Sequence, residues 1–307
     1  MYYGLLTDNR AASVEAAVLR SNGRVDAATA RSYLNQLTYG GFDTGAISAL
    51  PLRLKMNLAD AIASDKTAPA SVGYLNALYD NMGLDRVIAE RSARQVKRFF
   101  DPANMDRLAA KWDGDDFAAT LSNMTLRPQA YDEKQKLKMM QFISDAYNDH
   151  IGAPRTEVKL FDGPPEVKGS FVPGKAAINV NRQSPEFMGD FTSMINTVVH
   201  ENTHNYQHHI SKNPNSAGND ALLARLYGIN MRGYINAKQG GMSAYQSQPI
   251  ELGAHVAGYI ARDMVKDFAL SRSTNDNWGP RSLAAGLMAA RPTKSRAGRY
   301  AYDLAAA

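Results

Sequence analysis

The sequence predicts an α+β chain, mostly helical, with a small sheet set between two groups of helices. Two observations carry this. Apolar residues recur at helical spacing over most of the length, and two β-rich runs, 167–172 and 175–181, flank Pro173-Gly174 and read as a hairpin. The pattern divides the chain into a helical N-terminal domain over 1–128, an α+β domain over 129–272 and a C-terminal extension over 273–307.

Short helices are expected over 11–20, 26–37, 51–64, 71–81 and 84–100, ending at the boundary Arg127-Pro128. Asn22-Gly23-Arg24-Val25-Asp26 has the look of a calcium-loop centre. Its first and last positions would be Val18 and Thr29, which supply no carboxylates, so a turn is the better reading. A long helix over 132–150 follows, with Leu137, Met140, Ile143 and Tyr147 on one side. Strands are then expected over 158–161, 167–172 and 175–181, with a type II turn at Pro173-Gly174. Phe191, Met194, Ile195, Val198 and Val199 trace the stripe of the next helix, which Asp190 or Ser184-Pro185 can open and Asn213-Pro214 closes. A linker helix over 220–236 precedes a last one that starts near Pro249.

The 307 residues can bury a sizeable core. There is no cysteine, which removes disulfides, thiolate nucleophiles and Cys-bearing metal sites. The formal charge of +5 is a mild excess and does not specify nucleic acid. The basic helix carrying Arg86, Arg91, Arg94, Lys97 and Arg98 reads first as a solvated face, and the tail over 291–299 is similarly basic. The longest apolar runs, near 194–199 and 283–290, fall far short of a membrane span. The N-terminus shows no ordinary secretory signal, so a cytoplasmic location or export by a signal-independent route is expected.

His200-Glu201-Asn202-Thr203-His204 is an H-E-x-x-H motif lying where the pattern says helix. Residues four apart on a helix share a face about 6 Å apart, so two imidazoles can grip one metal ion. Glu201 points about 100° around the helix and can reach a water at that ion without ligating it. This division of labour is what zinc-dependent peptide hydrolysis needs. His208 continues the same face, but Cα atoms eight residues apart on a helix are about 12 Å apart, too far to share one ion easily. His208 and His209 are therefore expected to be solvated or substrate-facing.

A third ligand must come from elsewhere. Glu251, in Gln248-Pro249-Ile250-Glu251-Leu252-Gly253-Ala254-His255, is the best candidate. Gly253, Ala254, Ala257 and Gly258 make part of its helix small, so another helix can pack closely there. If that helix carries His200 and His204, Glu251 arrives beside the imidazoles. His255 is the rival third ligand or a supporting partner.

On these residues the chain resembles the gluzincin class of zincin metallopeptidases. There an H-E-x-x-H helix supplies two histidines and the general base, and a Glu on a following helix, often as E-x-x-A, completes the site. The matching residues are His200, Glu201, His204, and Glu251 with Ala254; where some gluzincins have Asp four after the glutamate, this chain has His255. The resemblance covers about residues 130–270. It implies a zincin-like catalytic domain whose sheet offers an edge strand to an extended substrate above the metal helix. The metzincin pattern is excluded, because its Gly and third His would fall at Gln207 and Ile210.

The expected activity is that of a zinc metallopeptidase. Zn2+ is held by His200, His204 and Glu251, Glu201 serves as general base, and Tyr245, His255 and Tyr259 are candidate oxyanion donors. The expected partner is a protein or peptide substrate. A toxin or effector protease is compatible with these features. The rival readings are hydrolysis of a non-peptide amide, and a zinc-stabilised binding or structural protein without turnover.

Overall fold

The helix that bears the motif shows how local chemistry sets this fold. The Asp190 carboxylate caps it, accepting from Thr192 N at 3.0 Å, Ser193 N at 3.2 Å, Thr192 Oγ1 at 2.6 Å and Ser193 Oγ at 2.7 Å. The helix runs from Phe191 to Lys212 and closes before Pro214. Its apolar stripe of Phe191, Met194, Ile195, Val198 and Val199 is buried, as expected. Beyond that stripe, His200 through Thr203, Asn205 and Gln207 are buried too, so polar groups face protein on several sides of the helix.

A computed structural model describes residues 16–18, 25–38, 44–65 and 69–273. The expected helix over 11–20 lies mostly outside these residues. The Asn22-Gly23 turn, the apolar run 283–290, the basic tail and most of the 273–307 extension lie outside them as well. The described chain is mostly helical with one three-stranded sheet, in keeping with the α+β expectation. None of its helices is long and apolar enough to cross a membrane.

The chain forms two compact units, Met1–Arg86 with Ser211–Glu251, and Val87–Ile210 with Leu252–Ala307. In the first, α1 (Ala27–Thr38), α2 (Thr44–Ser48), α3 (Leu52–Ala63) and α4 (Pro69–Asp80) are joined by α11 (Ala221–Arg232) and α12 (Ala237–Ser247). α3 packs on α1, α4 and α11, and α12 packs on α4. Leu34, Leu58, Ile62, Leu78 and Leu226 are fully buried in this unit. Lys55 is buried with them and donates to the carbonyls of Ser48 at 2.8 Å and Asn81 at 2.7 Å.

The second unit holds most of α5 (Asp85–Phe99), then α6 (Pro102–Lys111), α7 (Phe117–Leu126) and α8 (Glu133–Ile151). Asp132 and Gln135 close a capping box that starts α8. Strands β1 (Glu157–Phe161), β2 (Gly169–Val172) and β3 (Ala177–Asn181) lie in the order β1-β3-β2, with β1 parallel and β2 antiparallel to β3. β2 is therefore an edge strand. Gln141 of α8 ties the sheet down, accepting from Val158 N at 2.7 Å and donating to Thr156 O at 2.9 Å. The buried Asn181 donates to Pro164 O and Val167 O, which shapes the loop that delivers β2. A short α9 (Pro185–Gly189) leads to the motif helix α10 (Phe191–Lys212), and α13 (Pro249–Ser273) completes the unit from Leu252 onward.

The hairpin forms, but not on a type II turn. Lys175 N donates to Val172 O as a four-residue turn requires, yet Gly174 does not carry a positive φ. The left-handed residue is Ala176, at φ 45°, directly before β3. Pro173 fits the first inner position of a type I turn equally well, so Pro-Gly did not decide between the two.

The α10 cap has a pH signature. Burial pushes the Asp190 carboxyl upward, but the bonds from Thr192 and Ser193 outweigh it and hold the group below the usual aspartate range. A depressed native pKa gives stability that is present above the unfolded value of about 3.9 and lost as pH falls through the native one. Asp190→Ala should cost about 1 kcal/mol near neutral pH, and its gap to the parent should narrow below about pH 3.5. Urea denaturation at both pH values checks this; a gap that widens in acid would refute it.

Candidate metal centre

α10 places His200 and His204 one turn apart, and their rings meet edge to face with centroids 4.7 Å apart. Their Nε2 atoms approach to 3.1 Å. Nitrogens each about 2.0–2.1 Å from a shared tetrahedral zinc would be separated by about 3.3 Å, so the pair is spaced for one ion. The tautomer agrees. His204 Nδ1 lies 2.9 Å from Gln207 Oε1, and a proton on Nδ1 satisfies that contact and leaves the Nε2 lone pair for the metal. The ligand atoms of His200, Glu201 and His204 all lie within 4.8 Å of one another, a grouping that could hold a metal ion.

Gln207 was read from sequence only as a departure from the metzincin pattern. It sits one turn after His204 and is 1 % exposed. Any i, i+3 polar neighbour of a candidate ligand could have signalled it.

Two close approaches assemble the surroundings. A Cβ at Gly258 of α13 would lie 2.9 Å from Asn196 O, and one at Gly253 would lie 3.0 Å from Gln207 Nε2. The small-residue face of α13 thus packs directly on α10. His255, between those glycines, brings its ring centroid to 4.6 Å from that of His200, and Tyr259 stacks on His255 at 5.8 Å and 20°. On the sheet side, a Cβ at Gly169 would lie 2.5 Å from Thr197 Cγ2, 2.8 Å from Asn179 O and 3.8 Å from Glu201 Cγ. The start of edge strand β2 therefore lies against α10 beside the Glu201 side chain. Further along β2, Phe171 meets the His208 ring at 5.9 Å. His208 is not one of the metal-capable group, and His209 is exposed.

The remaining candidates fall in the first unit. Glu251 is 2 % exposed, and its Oε1 accepts from Tyr234 Oη at 2.8 Å. The Tyr245 ring stands edge-on to Tyr234 at 6.2 Å. Burial, then the Glu251 charge and Tyr245, push the Tyr234 hydroxyl well above the usual tyrosine range, so it stays a donor to the carboxylate. Sequence reasoning passed over Tyr234, a lone aromatic between two helices. Glu251 stands in the first turn of α13, one turn before His255. The group brought together at 4.8 Å comprises His200, Glu201 and His204 and does not include Glu251 or His255.

The inner positions of the motif matter as well. Asn202 is fully buried; its Oδ1 accepts from Asn148 Nδ2 at 2.5 Å and Thr156 Oγ1 at 2.9 Å, while its Nδ2 donates to Ser144 Oγ at 3.0 Å and Val198 O at 2.9 Å. Asn205 donates to Asn148 Oδ1 at 3.1 Å and Pro154 O at 2.6 Å. These amides bolt α10 to α8 and to the entry of β1.

Compared with known proteins, the chain matches no family model, no curated protein and no solved structure.

Removing the Asn202 amide leaves one buried N–H of Asn148 Nδ2 without its acceptor, the other being held by Thr156 Oγ1. Asn202→Ala should cost about 2–4 kcal/mol, more than a surface change, because unsatisfied buried groups keep their full desolvation penalty. Denaturant unfolding would measure it, and a loss under about 0.5 kcal/mol would mean the network does not anchor the helix.

Proposed function

We propose that the chain is a zinc-dependent metallopeptidase with a zincin-like site. The observation that carries the proposal is the meeting of the two imidazole nitrogens at 3.1 Å, with Glu201 in the same group and an edge strand beside it. His200 and His204 would hold the metal, with Glu251 as third ligand. Support for Glu251 comes from its place in the first turn of α13, as the sequence reading has it, and from the Tyr234 hydroxyl that orients its carboxylate. When bound, zinc supplies a Lewis acid and acidifies water at the site.

The chain's own residues do the rest. β2, an edge strand among the described residues, offers its outer edge to an extended peptide, whose backbone pairs with it and is thereby oriented. Glu201, 8 % exposed, is shielded enough to act in a low dielectric. It takes a proton from the attacking water, whose oxygen bonds to the scissile carbonyl carbon. As the C–N bond breaks, Glu201 returns that proton to the amine nitrogen. Negative charge growing on the carbonyl oxygen calls for a donor. His255, beside His200, and Tyr259, stacked on it, are better supported in that role than Tyr245.

The purified protein should contain about one zinc per chain, and His200→Ala with His204→Ala should abolish it. Glu201→Gln should keep zinc and fold while losing nearly all cleavage of a peptide mixture. A zinc-stabilised binding protein would keep its metal and show no cleavage in either form. A non-peptide amide hydrolase would leave the peptide mixture intact but turn over a small amide in a Glu201-dependent way.

The ligand set has its own test. Glu251→Ala should lower zinc affinity severely, whereas Tyr234→Phe and His255→Ala should each lower it about 10–100-fold, as changes to supporting groups do. Competition with a chromogenic chelator reads all three. If His255→Ala is the severe variant and Glu251→Ala the mild one, the third ligand is His255.

A further inference from the structure

We propose that a basic groove formed by α5, α6 and α8 is a binding site for a small polyanion carrying several phosphate groups. The proposal is independent of the metal centre and of the peptidase reading.

Arg91, Arg94 and Arg98 recur at i, i+3 and i+7 on α5, and all three line one recess of about 220 Å3 together with Gln95, His150 and Ile151. Among the described residues, no carboxylate lines that recess. His150 also lines a second recess of about 470 Å3, whose cationic walls are Arg107 and Lys111 of α6 and Arg155 after α8. His150 thus joins the two into one groove. Asp149 and Arg155 on its rim neutralise each other through a two-bond pair, with Arg155 Nε donating to Asp149 Oδ1 at 2.9 Å and Nη2 to Oδ2 at 2.6 Å. Asp145 accepts from Gln141 Nε2 at 2.8 Å, and Asp101 is spent on the cap of α6, accepting from Asn104 N at 2.8 Å. Among the described residues, none of Arg94, Arg98, Arg107 and Lys111 is held in an ion pair. With the Arg155–Asp149 pair set aside, Arg91, Arg94, Arg98, Arg107 and Lys111 face Asp145 and Asp101, which already serve neighbouring groups.

The groove is also preorganised. Arg91 donates to Tyr206 Oη at 3.1 Å and lies over that ring at 5.7 Å from its centroid. His150 Nε2 lies 3.1 Å from the Gln95 carbonyl, and its ring packs 5.6 Å from Phe99. Burial and then Arg107 and Arg98 hold His150 below the usual histidine range, against the pull of Gln95 O and Asp101. Arginine forks match phosphate oxygens in pairs. Two joined recesses, each with its own cations, suit a ligand with several phosphates better than a single one. A nucleic-acid backbone needs a continuous track, and here Asp101, Asp145 and Asp149 bound the cationic area on its α6 and α8 sides.

The test is calorimetric titration of the full chain with inositol hexakisphosphate and sodium tripolyphosphate at about 150 mM salt, with inorganic phosphate as the single-phosphate control. Both polyphosphates should bind with micromolar Kd, at least about tenfold tighter than phosphate. Arg94→Ala/Arg98→Ala, both exposed positions, should weaken them at least about tenfold without changing the circular dichroism spectrum, and Arg107→Ala/Lys111→Ala should weaken the larger probe more than the smaller. Polyphosphates also chelate zinc, so a His204→Ala variant is titrated in parallel and should keep the parent affinity. Unchanged affinity in the arginine variant, lost affinity in His204→Ala, or no binding at all would overturn the proposal. So would a single-stranded oligonucleotide that binds more tightly than either probe and depends on the same arginines.

Discussion

The buried amide of Asn202 is the interaction on which the candidate site depends. α10 carries polar residues around much of its circumference, and most of them are buried. A helix like that cannot be held by apolar contact alone, because each desolvated amide or hydroxyl must find a partner. Asn202 finds Ser144, Asn148 and Thr156, and Asn205 finds Asn148 and Pro154. The same bonds that satisfy the inner residues of the motif fix the helix to α8 and the sheet. Hydrogen bonds are directional where apolar packing is not, so they also set the rotation of α10, and hence where His200 and His204 point.

With that rotation set, the neighbours approach by subtraction of side chains. Gly169 lets the sheet edge come down beside Glu201, Gly258 lets α13 lie on the α10 backbone, and Gly253 lets it close on the side chains of Gln207, Ile88 and Ser92. At Gly169 and Gly258 the contact distance leaves no room for a methyl group, and at Gly253 one would have to push those side chains aside. The catalytic candidates are brought together by what three glycines lack, while their orientation comes from amides.

This explains what could be read in the sequence and what could not. Helices α1, α3, α4, α5, α8 and α10 and the hairpin were legible because periodicity and caps report local preference. The H-E-x-x-H spacing was legible for the same reason, since two positions on one turn need no tertiary information. α6 and α7 open on Asp101-Pro102 and on Asp116, both readable caps that were passed over. α12 was hidden by Gly240-Gly241, which reads as a turn and does break the helix, with Gly241 at φ 79°. Gln207, Tyr234 and the Asn202 network were not legible, because each takes its meaning from a partner distant in sequence or from a ring tautomer. The rank of Glu251 against His255 is of the same kind, since a first-turn glutamate looks alike whether it ligates a metal or faces a helix dipole.

The amide network under α10 and the basic groove, both in the second unit, are built on shared parts. α8 contributes Asn148 to the amide network under α10 and, two residues later, His150 to the basic groove. α5 contributes Arg91 both to the groove and to Tyr206, two residues past His204. Such double use is possible because neighbouring helix positions face about 100° apart, so one rigid segment can serve two environments at once. It also suits the chemistry of arginine. A guanidinium offers five N–H donors in a fixed plane, so anchoring to a tyrosine hydroxyl narrows its rotamers without exhausting its donors. The anchor thereby lowers the entropic cost of presenting the charge, and the same bond that steadies Tyr206 on the motif helix keeps the groove ready for an anion.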